Sequence, residues 1–205
     1  METFLDHMLA LIAPMYDEVY GVSNRPANFY FVGTGRAGLP APCTDTKGNS
    51  LLTSDQDFYY CPTDQSIYTG QEQLWRYYYD IGDAAPFVAY AHEWGHHIQT
   101  ISGVHNDLAD NATAEQVRVH SIRLENQADC FAGVWLFYAD TKGWLEYPDD
   151  AGDIGQILQE IASSDANPER DHGNLEERTA SLLHGYNQGL RGCNAFFPNT
   201  PIYQG

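Results

Sequence analysis

Two histidines four residues apart bracket a glutamate in the segment Ala91-His92-Glu93-Trp94-Gly95-His96-His97-Ile98-Gln99. A helix advances about 100° per residue, so His92 and His96 lie about 40° apart, one turn along a single face, and both imidazoles can converge on one Zn²⁺. Glu93 lies one residue on, where it can reach a water in the fourth zinc position as a general base instead of ligating the metal. A purely structural zinc site would need a fourth protein ligand in place of that free carboxylate. H-E-x-x-H also occurs on helices that bind nothing, so a third ligand decides its meaning.

One group of zinc peptidases extends the motif to H-E-x-x-H-x-x-G-x-x-H, but the corresponding positions here hold Gln99 and Ser102. The other main arrangement takes a glutamate from a second helix, with an aspartate one turn further on to orient a ligating imidazole. The run Leu124-Glu125-Asn126-Gln127-Ala128-Asp129 supplies that pair at i and i+4. Leu124, Ala128, Phe131, Ala132 and Trp135 around it imply burial on several sides, and buried carboxylates need a cation or donors. Zinc for Glu125 and the Nδ1–H of a ligating histidine for Asp129 are the partners that fit.

The remaining candidates lie outside the motif. His172, just before a helix start, is the candidate donor to the developing oxyanion, with Tyr90 and Tyr68 as alternates. Arg178 is read as the holder of a buried carboxylate. His97 points elsewhere on the helix and is read as structural, and His7, His105, His120 and His184 have no metal-ligand spacing. The turn Asp149-Asp150-Ala151-Gly152-Asp153 reads as a solvated loop in preference to a Ca²⁺ site. The aromatic run Trp75-Tyr77-Tyr78-Tyr79 reads as core.

The elements that must position these groups follow from periodicity and punctuation. Residues 2–20 carry apolar residues at helical spacing, with an expected kink or interruption near Pro14. Pro26–Val32 is strand-like and Gly33–Pro42 reads as loop. Asp57–Cys61 and Gln65–Tyr68 form an expected hairpin, with Ser66–Thr69 as the candidate edge strand for an extended substrate. Four helical segments follow. The first runs Gln71–Ile81, and the second is capped by Asp83 and stops at Ser102-Gly103. The third opens with a capping box at Thr113 and ends by Gly143, and the last opens at Asn174, with Leu182, Leu183, Tyr186 and Leu190 facing inward. The fold class is therefore α+β: a small antiparallel sheet plus a helical bundle carrying the H-E-x-x-H helix and a second ligand-bearing helix.

Composition narrows the partners. Ten Lys+Arg against 28 Asp+Glu give 205 residues a formal net charge of −18, which repels phosphate backbones and anionic bilayers. A content of 43% hydrophobic residues with 14 tyrosines separates the chain from acidic disordered segments. No apolar run reaches the length of a membrane span. Neither repeats nor linkers divide the chain, so a single domain is expected over 1–205, with an N-terminal region 1–55 and a catalytic core 56–193. Cys43, Cys61, Cys130 and Cys193 form an even set without a C-x-x-C pair, and three connectivities are open. The nearest-loop pairing, Cys43–Cys61 and Cys130–Cys193, is the expectation, and it favours an extracytoplasmic or secreted protein whose leader or anchor has been removed.

Four strings then carry a resemblance: F-Y-Y-C-P-T-D-Q-S-I-Y from Phe58, A-Y-A-H-E-W-G-H-H-I-Q from Ala89, L-E-N-Q-A-D-C-F-A-G-V-W from Leu124 and H-G-N-L-E-E-R from His172. Spread over residues 58 to 193, they are far more specific than bare H-E-x-x-H, and the chain resembles the bacterial neutral zinc metallopeptidases of the zincin superfamily. The resemblance implies zincin architecture, His92, His96 and Glu125 as zinc ligands, Glu93 as catalytic base, and a peptide or protein as substrate. Two other functions fit the same residues: a zinc-stabilised binding or regulatory module without turnover, and a hydrolase of a non-peptide amide such as a cell-wall crosslink.

Overall fold

The computed structural model describes residues 1–44, 50–109, 111–167 and 170–205. Helix α1 (Glu2–Tyr20) opens the chain and buries Leu5, Met8, Ile12, Met15 and Tyr16, which recur every three or four residues along one stripe. Met8 and Ile12 are fully enclosed, each stabilising the fold by about 1.5–3 kcal/mol. Pro14 lies within the span and does not end the helix, because the buried residues on both sides of it hold the turn against the one backbone bond a proline removes.

Five strands follow: β1 (Asn28–Val32), β2 (Leu39–Thr44), β3 (Ser50–Thr53), β4 (Phe58–Cys61) and β5 (Ser66–Gly70). β1, β5 and β4 form one sheet in that order, and β2 and β3 a separate antiparallel pair. The loop expected over Gly33–Pro42 thus gives way to strand at Leu39. Pro40 and Pro42 disguise it, and a two-stranded ribbon tolerates them because its outer edges need no donors.

The three-stranded sheet is mixed and not antiparallel throughout: β1 runs parallel to β5, with Tyr30 opposite Tyr68, and β4 runs antiparallel to it, with Tyr59 opposite Tyr68. The expected hairpin is β4–β5. Its second arm, however, is the central strand, with all five residues buried, so Ser66–Thr69 is not the edge. The edges are β1 and β4, and β4 is the one whose residues reach the histidine-bearing helix. The N–H of Gly70 bonds the carbonyl of Asp57 at 2.7 Å, so antiparallel alternation turns the backbone groups of Phe58 and Tyr60 away from β5, toward the open side.

Helix α2 (Gln71–Arg76) continues into a π-helical turn, Tyr77–Ile81. Of the aromatic run here only Tyr77 is core, since Trp75 and Tyr79 are exposed. Helix α3 (Ala84–Ile101) carries the histidine motif. Asp83 precedes it but makes no capping bond, and the Ala84 N–H is instead 3.5 Å from a carboxylate oxygen of Asp153. Helix α4 (Ala114–Thr141) and helix α6 (Leu175–Cys193) both begin with complete capping boxes, Thr113 with Gln116 and Asn174 with Glu177. Leu183 on α6 is half exposed instead of inward-facing.

Between them lies a helix the punctuation hid, α5 (Asp149–Ile161). The expected acidic loop 149–153 is its first turn, and Ile157 and Leu158 bury against the neighbouring helices.

Close approaches set the helix geometry. Tyr16 donates its hydroxyl to the carbonyl of Ala91 at 2.9 Å and stacks on Trp94 at 5.0 Å, so α1 grips α3 within the motif. A Cβ on Gly95 would lie 3.1 Å from Ala128 Cα, which lets α3 and α4 cross nearly in backbone contact. On α4 and α6, Gly133 and Gly185 form a tighter notch: their Cβ atoms would sit 1.9 Å from Leu182 O and 1.8 Å from Cys130 O. Disulfides Cys43–Cys61 and Cys130–Cys193, the expected pairs, tie β2 to β4 and α4 to α6. Among the described residues no helix is long and apolar enough to cross a membrane.

Candidate metal centre

The crossing at Gly95 brings one face of α3 against one face of α4, where His92, His96 and Glu125 converge. His92 Nε2 and His96 Nε2 are 3.1 Å apart, His92 Nε2 is 3.2 Å from Glu125 Oε2, and His96 Nε2 is 3.3 Å from Glu125 Oε1. Ligands held at about 2.0–2.1 Å by tetrahedral Zn²⁺ are separated by edges of about 3.3–3.4 Å, so the donor set has nearly the spacing such an ion demands.

The outer hydrogen bonds determine what those three groups present. His92 Nδ1 is 2.8 Å from Asp129 Oδ1 and His96 Nδ1 is 2.8 Å from Gln99 Oε1. Both partners accept, so each Nδ1 carries its proton and each neutral ring turns an Nε2 lone pair inward. Two lone pairs and a carboxylate facing one another require positive charge between them. A bound metal ion supplies it, and without one protons must. Burial pushes the pKa of His92 down, but the carboxylates of Asp129 and Glu125 outweigh it and raise the group to about 10. For His96 burial likewise lowers the pKa, and Glu125 reverses the sign. Burial pushes Glu125 up, yet the two imidazoles hold it well below the usual carboxylate range. The donor set therefore fits Zn²⁺.

Glu93 stands beside the cluster without joining it. Its Oε2 accepts the N–H of Tyr60 at 2.7 Å, from the open side of β4. Burial raises its pKa, moderated by the neighbouring His92 and His96. Arg178, 1% exposed, bonds Asp129 Oδ1 at 2.8 Å and lies 3.8 Å from Glu125 Oε2, in the carboxylate-holding position expected of it. His172 reaches the rim: Nε2 is 3.5 Å from Glu125 Oε2 and Nδ1 is 2.7 Å from Asp171 Oδ1. These groups line a cavity of about 290 Å³ whose other walls include Phe58, Tyr77, Ala89 and Ile161.

The alternate donors do not reach the site. The hydroxyl of Tyr90 is enclosed beside Thr69, and that of Tyr68 bonds Asp64. His97 is structural, its ring held between the Tyr60 hydroxyl and the carbonyl of Asn24. Three contributors were not anticipated. Gln99 could have been found, since it lies three residues beyond His96 on the same helix face. Tyr60 acts through its backbone and Gly95 through lack of a side chain, so neither has a chemical signature.

Comparison with known proteins agrees with this geometry. A profile of the family described as "Putative neutral zinc metallopeptidase" matches residues 44–196. The chain is 33% identical over 157 residues to the uncharacterized protein YpfJ of Escherichia coli K12, covering 67% of this chain and 53% of that one. It is 30% identical over 164 residues to the uncharacterized protein Rv2575 of Mycobacterium tuberculosis H37Rv, covering 69% and 55%. The chain thus spans about half the length of these curated relatives. No solved structure matches it. With a match across most of its length and a donor set suited to the metal, the chain belongs to the neutral zinc metallopeptidase family.

Proposed function

We propose that the chain hydrolyses peptide bonds at a zinc centre held by His92, His96 and Glu125. The observation that carries this is Glu93: a buried carboxylate beside three convergent donors, held by a backbone N–H and left out of the donor set. His92, His96 and Glu125 would hold the Zn²⁺, which would supply Lewis acidity toward the scissile carbonyl and the attacking water. Glu93 takes the proton of that water and returns it to the leaving amine. Its raised pKa brings it closer to the range in which a carboxylate both accepts and releases a proton. Asp129 and Gln99 hold the two imidazoles in the required tautomer, and Arg178 balances Asp129. His172, steadied by Asp171, is the hydrogen-bonding group for the oxyanion. β4 takes the edge role: the Tyr60 N–H is committed to Glu93, and the outward backbone groups of Phe58 and the carbonyl of Tyr60 face an extended substrate.

The net charge of −18 favours neutral or basic substrates, and the two disulfides suit an oxidising compartment. Peptide libraries and peptidoglycan fragments should be screened with the wild type and Glu93→Gln. Zinc content is expected to stay at one per chain while peptide cleavage falls about 10²–10⁴-fold. Cleavage of crosslinks alone would redirect the function to non-peptide amides, and activity independent of Glu93 would leave a binding module.

A further inference from the structure

His96 is oriented differently from His92. The orienting partner of His92 is an anion, Asp129, neutralised by Arg178, whereas that of His96 is an amide. From Gln99 the hydrogen bonds continue inward. Gln99 Nε2 donates to the carbonyl of Leu124 at 2.7 Å and to Gln127 Oε1 at 3.2 Å, and Gln127 Nε2 donates to the carbonyl of Cys193 at 2.9 Å. Both glutamines are fully buried.

We propose that Gln99 and Gln127 are positioning residues for the metal centre, a neutral amide relay that runs from the Cys193 carbonyl to His96 Nδ1 and locks that imidazole with Nε2 inward. The proposal rests on the metal-site reading above. Its direction follows from the ends of the chain of bonds. Backbone carbonyls only accept, so Cys193 fixes which end of the Gln127 amide faces it. Gln127 then offers its oxygen to Gln99, whose NH₂ is committed to Gln127 and Leu124. That leaves Gln99 Oε1 for His96, where only an Nδ1–H completes the bond.

The relay joins α3, α4 and the end of α6, so one ligand of the centre is registered to three helices. It also adds no charge. Glu125 and Asp129 already share Arg178, and a carboxylate in place of Gln99 would offset more of the charge of a bound dication.

The test measures zinc affinity by chelator competition, and Co²⁺ d–d absorption, for the wild type, Glu125→Gln, Gln99→Met, Gln127→Met and the Gln99→Met/Gln127→Met pair. Methionine fills the space of glutamine without its hydrogen bonds. Gln99→Met is expected to weaken zinc binding about 10–100-fold and shift the Co²⁺ spectrum. Gln127→Met, which touches no ligand, is expected to weaken it by a smaller factor. The double variant is expected to match Gln99→Met alone, because a severed relay has nothing further to transmit. Additive losses, or a Gln99→Met affinity within twofold of wild type, would overturn the relay. If neither variant folds, the wild-type zinc form still decides: a His96 Nδ1 proton protected from solvent exchange in side-chain ¹⁵N spectra supports it, and a freely exchanging one refutes it. A wild type without tight zinc binding, unchanged by Glu125→Gln, overturns the metal-site reading itself.

Discussion

Replacing Gly185 with alanine sets two physical effects against each other. Alanine is the better helix former, and at an unobstructed helical position the exchange stabilises by about 0.5–1 kcal/mol. In the α4–α6 notch, however, the new methyl group would sit 1.8 Å from Cys130 O, where a relaxed carbon–oxygen contact needs about 3.3 Å or more. Backbone atoms cannot rotate aside, so the helices must part by about 1.5 Å or absorb the overlap. Parting would stretch the 2.8 Å bond between Arg178 and Asp129 to about 4.3 Å, beyond hydrogen-bond range. Disrupting such a buried pair costs about 3–5 kcal/mol. Absorbing the overlap against unyielding backbone costs about 3 kcal/mol or more, the upper end of what overpacking exacts. After crediting helix propensity, a net loss of about 2–4 kcal/mol remains, or roughly 4–16 °C in Tm for a chain of this size. Thermal and urea unfolding of Gly185→Ala should be compared with Gly155→Ala on α5, where a Cβ meets nothing within 4 Å and a small gain is expected. Zinc affinity should fall with stability in the first variant and hold in the second. A Gly185→Ala protein with unchanged or raised Tm would refute the notch and the claim that it sets the distance between Arg178 and Asp129.

Arg178→Leu leaves Asp129 buried without its cation and should cost about 3–5 kcal/mol in urea titrations. His172→Phe keeps the ring's bulk, so cleavage should fall about 10²–10³-fold in kcat while zinc content, read by metal analysis, stays constant. Zinc binding near neutral pH should release protons, visible in calorimetry as a heat that scales with buffer ionisation enthalpy, because His92 holds its proton up to about 10 in the metal-free protein. That raised pKa also gives the metal-free form stability present below about 6.5 and lost as pH climbs through about 10, so its Tm should fall across that window.

The site was more legible than its frame. H-E-x-x-H and Glu-x-x-x-Asp are patterns of one helical turn, and a turn keeps its geometry wherever the helix is packed, so spacing alone put His92 with His96 and Glu125 with Asp129 on shared faces, which the fold brings together. The capping box at Thr113 and the cap at Asn174 were legible for the same reason, each set by residues within one turn. The edge strand was misassigned because strand order is nonlocal: nothing within Ser66–Gly70 reveals that β1 lies along its far side. Helix α5 was lost to punctuation. Its run Asp149-Asp150-Ala151-Gly152-Asp153 reads as a turn, although Ile154, Ile157, Leu158 and Ile161 keep a 3.6-residue period just beyond it. The notch at Gly133 and Gly185 had no pattern to find, since what matters there is a carbonyl from another helix.

The Cys130–Cys193 bond bears on what happens to the chain when it is cut. It encloses the exposed connector between α4 and α5, residues 142–148, the kind of segment at which proteases nick folded proteins. A cut there separates Glu125 and Asp129 from His172 and Arg178 in covalent sequence. The two pieces stay joined through sulfur, one residue beyond Asp129 on one side and at the end of α6 on the other. A nicked protein should therefore migrate as one species without reductant and two with it, and keep its zinc until the disulfide is opened. Wear at that connector is therefore survivable.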